Sequence, residues 1–97
     1  MNRRLVPLLL LAVNPHVLPR AYVLRVGNEP PVPAEILRYE ATEVVLRADG
    51  PGTLVLADAW DPKWHAEGFT VVPYRGFLRS VSLGPGSHTI RFVFEQW

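Results

Sequence analysis

The sequence predicts an all-β fold, a small antiparallel β-sandwich of about seven strands with an Ig-like or jelly-roll-like course. Short apolar runs alternate with polar residues from residue 38 onward, and Gly/Pro-bearing turns interrupt them roughly every eight to twelve residues. Beyond the first thirteen residues, no window longer than ten residues carries a helical apolar period.

Size and composition narrow the function classes. At 97 residues the chain is read as a single domain, 1–97. Hydrophobic residues make up 48% and charged residues 20%, a globular balance rather than that of a disordered tail. The formal net charge is +1, and the nine arginines and the single lysine, Lys63, are scattered. A nucleic-acid partner is therefore not expected, because neutralising phosphates requires a clustered basic face. The absence of cysteine removes disulfides, thiolate chemistry and Cys-based metal sites.

The elements follow in order. Met1-Asn2-Arg3-Arg4 precedes the apolar run 5–13, a charge pattern shared with secretory signals. That run is too short to cross a bilayer as a helix, and residues 14–19 offer no small-x-small cleavage site. It is read as an edge strand or as the remnant of a targeting signal. Residues 21–26 form a strand candidate, and the proline-rich stretch 27–33 a linker, since proline cannot donate to a ladder. Strands are expected at 36–39 and 43–48, with Asp49-Gly50-Pro51-Gly52 as a hairpin turn.

Residues 53–59 alternate again, with Leu54, Leu56 and Asp58 on one face and Val55 and Ala57 on the other. A proline-led corner, Asp61-Pro62-Lys63-Trp64, comes next. Residues 69–74 and 77–83 are expected to form a hairpin around Arg75-Gly76. A second turn, Gly84-Pro85-Gly86-Ser87, leads into the closing strand 88–94, where Ile90, Phe92 and Phe94 share a face.

A set of short segments, in order, resembles a known domain. They are Asn14-Pro15 with Leu18-Pro19-Arg20-Ala21-Tyr22, then Gly52-Thr53-Leu54-Val55-Leu56-Ala57-Asp58, Pro62-Lys63-Trp64, Gly76-Phe77-Leu78-Arg79-Ser80-Val81 and Gly86-Ser87-His88. Together they resemble the C-terminal extracytoplasmic β-domain of the YfhO family, bacterial multi-pass membrane proteins related to glycosyltransferases that use lipid-linked sugars. Lys63 stands where the family commonly has glycine, and the hairpin after Trp64 is shortened. The resemblance implies the sandwich fold and the extracytoplasmic side of the membrane. It covers none of the family's transmembrane part, so it does not carry over glycosyltransferase chemistry.

Candidate chemistry is sparse. Asp58, Asp61 and His65 form a D-x-x-D-x-x-x-H string near the Trp corner, without the spacing of a defined metal motif, and no metal or other cofactor is expected. The serines lack a Gly-x-Ser-x-Gly elbow, and Asp58 and Asp61 are carboxylates paired only by proximity. The chain is accordingly read as non-catalytic. Asp58 and Arg79 both interrupt inward-facing stripes, so they are expected to pair with each other or with backbone at the rim of the sandwich. Trp60, Trp64, Tyr74 and Arg75 are the candidate ligand-binding residues, as a platform for sugar rings. The alternative for Trp64 is to plug one end of the core, which leaves Trp60 as the more exposed ring. The expected function is an interaction or assembly module, partnered by a second copy or by a membrane glycosyltransferase. The alternative is a carbohydrate-binding module at the Trp60–Trp64 corner.

Overall fold

The computed structural model describes residues 19–95, so the apolar segment 5–13 lies outside the described residues. Seven strands follow in order: β1 (Ala21–Leu24), β2 (Val32–Pro33), β3 (Glu35–Glu40), β4 (Glu43–Ala59), β5 (Trp64–Ala66), β6 (Val72–Tyr74) and β7 (Leu78–Phe94). Every pairing is antiparallel, and no helix occurs among the described residues. The all-β, seven-stranded expectation therefore holds.

Two strands of 17 residues each, β4 and β7, pair along almost their whole length and form the spine. The first half of β4 and the second half of β7 are flanked by β3 and β5. The other halves are flanked by β1 and β6, with β2 outside β1. Alternation along the spine sends one stripe from each half inward. Val44, Leu46, Ala48, Ile90 and Phe92 meet Ala21, Val23, Leu54, Leu56, Val81 and Leu83 in a single buried cluster. One sheet thus folds over its own core into the two layers of a sandwich.

The fold-over corrects the two expected turns at 49–52 and 84–87. Neither reverses the chain, because both strands run straight through. Gly50 lies opposite Gly86 and Gly52 opposite Leu83, with a register shift between them, so the two Gly-Pro-Gly motifs face each other across the ladder. An irregular step on both strands at the same level bends the pair together. Arg25 donates to Pro51 O at 3.1 Å, and His88 Nε2 donates to Gly84 O at 2.8 Å, fastening the corner. A local reading sees glycine and proline as turn residues; only the partner strand shows that they form a shared corner.

The hairpin expected around Arg75-Gly76 is present. Phe77 N–H donates to Tyr74 O at 3.2 Å, and both central residues have positive φ, 53° at Arg75 and 85° at Gly76. Successive positive φ values suit the twist of a tight hairpin, here with Arg75, Gly76 and Phe77 between the paired Tyr74 and Leu78. Phe77 lies exposed at the end of the turn.

Candidate functional site

The sandwich has an open rim where β4 ends and β5 begins. Trp64 opens β5, is only 7% exposed and joins the core cluster, so it plugs the core and does not belong to an exposed platform. Its ring tilts against Phe94 at a centroid distance of 5.2 Å. The guanidinium of Arg79 also lies against it, 3.6 Å from the ring centroid. Arg79 belongs to the opposite half of the spine, paired with Leu56, so this stack ties the two layers together.

Arg79 is itself only 7% exposed. Its Nε donates to Ala59 O at 2.9 Å, while one terminal nitrogen is shielded and has no hydrogen-bond partner among the described residues. Burial pulls its pKa below the ordinary value, and the charge of Asp58 acts in the other direction. Removing a guanidinium from water costs roughly several kcal/mol. A desolvated cation–π contact recovers about 2 kcal/mol of that. The charge therefore remains incompletely compensated.

The expected Asp58–Arg79 ion pair does not form. The Asp58 carboxylate accepts from Arg20, in a salt bridge, and from the Tyr39 hydroxyl at 2.7 Å. Arg20 also reaches the Tyr39 hydroxyl at 3.0 Å, closing a three-membered network at the rim. Of the two expected arrangements Arg79 takes the backbone one, through Ala59 O, while Asp58 pairs with side chains of Arg20 and Tyr39 instead. Asp58 sits within the register shift between Leu56 and Ala59 near the end of β4, and its carboxylate meets Tyr39 on β3 rather than Arg79. Arg20 and Tyr39 were not singled out from the sequence, because their roles depend on which strands lie side by side.

The Tyr39 hydrogen bond carries a pH signature. Donation to Asp58, then partial burial and the carboxylate's charge, hold the Tyr39 phenol above its ordinary 10.0. The folded chain thus keeps this proton at a pH where the unfolded chain has lost it. The associated stability is complete below pH 10 and declines as pH rises through the raised value. Tyr22 is also raised, chiefly by burial. Ultraviolet titration is expected to show these two tyrosines ionising late in the wild type, and Tyr22 alone in Tyr39→Phe.

Trp64 separates two clefts. One, of about 320 Å³, is lined by Tyr39, Glu40, Ala41, Asp58, Trp64 and Arg79. The other, of about 370 Å³, is lined by Trp60, Pro62, Trp64, His65, Phe69 and Thr70. Trp60 is half-buried, and its indole Nε1 is shielded with no acceptor among the described residues. Tyr74 and Arg75 line neither cleft: Arg75 Nε donates to Tyr74 Oη at 3.3 Å and the pair stays on the β6–β7 turn. The predicted four-residue platform is therefore split, with only Trp60 and Trp64 brought together.

Asp58, Asp61 and His65 also go separate ways. Asp61 accepts from Lys63 N–H at 2.9 Å, which shapes the corner, and His65 Nε2 lies 2.9 Å from Glu95. Among the described residues no three His, Asp or Glu side chains gather into a metal-binding group.

Comparison with family models, curated proteins and solved structures gives no match for this chain.

Proposed function

We propose that this domain is a non-catalytic binding module that takes carbohydrate at the Trp60–Trp64 corner. The observation that supports this most directly is the second cleft, lined by Trp60, Trp64 and Phe69, together with a shielded Trp60 indole N–H that lacks an acceptor among the described residues. Aromatic walls suit the C–H faces of a sugar ring, and an unpaired donor suits a ring or hydroxyl oxygen. His65 and Thr70 supply polar groups at the same cleft. The resemblance to an extracytoplasmic domain of sugar-handling membrane proteins adds weight to this reading.

Titration of the ¹⁵N-labelled chain with neutral disaccharides tests it. The Trp60 indole resonance is expected to shift saturably, and Trp60→Ala to weaken binding about tenfold, the scale of one lost aromatic contact. An unmoved indole resonance across a broad set of neutral sugars would remove the reading.

A second reading, assembly, has its own support. All six residues of β3 are exposed, Ile36, Leu37 and Tyr39 among them, and among the described residues β3 pairs with β4 alone. An apolar edge strand is a template for strand addition by a second copy. Light scattering across a concentration series is expected to show a dimer that Leu37→Lys dissociates. Docking on a membrane glycosyltransferase is supported by the family resemblance alone.

A further inference from the structure

The cleft on the other side of Trp64 has a different chemistry, set by charge. Three ionised side chains meet at the rim, Arg20, Asp58 and Arg79, and Arg20 is already paired with Asp58. Glu40, which also lines this cleft, is held by Arg38 at 3.4 Å. Among the described residues both carboxylates at this cleft are thus bridged by arginines other than Arg79, Arg38 being shared between Glu40 and Glu43.

Among the described residues Arg79 forms no salt bridge. Trp64 covers one face of the guanidinium, Ala59 O takes Nε, and a terminal nitrogen has no partner among the described residues. Planar guanidinium groups bind carboxylates through parallel N–H donors, a geometry that lysine cannot supply. The cleft measures about 320 Å³, at the lower end of small-molecule sites and suited to one ring.

The remaining groups indicate what that ring carries. Asp58 accepts one bond on each oxygen, from Arg20 and from Tyr39, and a carboxylate has lone pairs to spare beyond two. Its free acceptor capacity suits hydroxyl donors. The same carboxylate, in the same cleft, disfavours a dianion such as phosphate. Ala41 and Ala59 offer small apolar surface against which a ring can lie.

We propose that this cleft binds the carboxylate of a sugar acid, with Arg79 holding the carboxylate and the Asp58–Tyr39 pair holding ring hydroxyls. The site is distinct from the Trp60 cleft, so the proposal stands whether or not neutral sugars bind there.

The test is titration of the intact ¹⁵N-labelled chain with sodium glucuronate, following the Arg79 Nε–H and Ala41 amide resonances, with glucose, sodium acetate and sodium phosphate as comparisons. Glucuronate is expected to shift both resonances saturably, at least tenfold more tightly than glucose or acetate, and phosphate to be weaker still. Arg79→Lys is expected to lose at least tenfold in glucuronate affinity while Trp60→Ala leaves it unchanged. If the lysine variant fails to fold, the ligand comparison on the unaltered chain decides alone. Glucose moving Arg79 as strongly as glucuronate, acetate or phosphate matching it, or no movement at Arg79, would each overturn the proposal. Failure of the Trp60 reading shows separately, as an indole resonance that no neutral sugar moves.

Discussion

Gly50→Ala is expected to destabilise the domain by about 3 kcal/mol, the upper end of overpacking effects. A Cβ at this position would lie 2.0 Å from Gly84 O and 2.9 Å from the Leu83 Cβ. The first contact is with backbone, so no rotamer change relieves it. The carbonyl is also held by His88, and β4 and β7 would have to separate at the corner that folds the sheet over its core. Loss at this scale lowers the melting temperature of a domain this small by about 12–24 °C. Gly84→Ala is the control, since a Cβ there meets nothing within 4 Å. It is expected to be neutral or slightly stabilising, through reduced freedom of the unfolded chain. Thermal unfolding of the two variants decides: equal losses would mean that close packing at the corner does not hold the layers together.

That corner also marks how far the sequence could be read. The inward stripes were legible because alternation needs no knowledge of neighbouring strands: Leu54 with Leu56 and Ile90 with Phe92 fall where the period of two puts them. Trp64 as a plug follows from a large ring in a proline-led corner. The two Gly-Pro-Gly motifs were misread for the converse reason. Each is locally a turn signal, and their mutual pairing, Gly50 with Gly86, is a long-range fact. Everything that depends on the fold-over was lost with it. Arg79 meeting Trp64, and Tyr39 meeting Asp58, are contacts between elements placed side by side only once the sheet has bent. Sequence parity shows that Asp58 and Arg79 point inward at the rim; it does not show what stands opposite.

Trp64→Ala should be the most damaging side-chain truncation at the rim, at about 3–5 kcal/mol for loss of a buried tryptophan. The ring packs on Phe94 from its own layer and lies under Arg79 from the other, so its removal opens the core and merges the two clefts it divides. The loss has a component beyond cavity formation. Without the indole, the guanidinium keeps its buried position and its bond to Ala59 O but loses the π-face that offsets part of its desolvation. Arg79→Met, which removes the charge and keeps much of the volume, is therefore expected to be milder alone and to soften the effect of Trp64→Ala when combined with it. A double-mutant cycle by urea unfolding measures this directly, with an expected coupling of about 2 kcal/mol, the scale of a desolvated cation–π pair. Strict additivity would mean that Arg79 merely rests on the ring, and that its charge is compensated elsewhere. A large coupling would instead show that the fold holds an incompletely paired guanidinium in place against its own desolvation cost, which is the property a carboxylate-binding cleft requires.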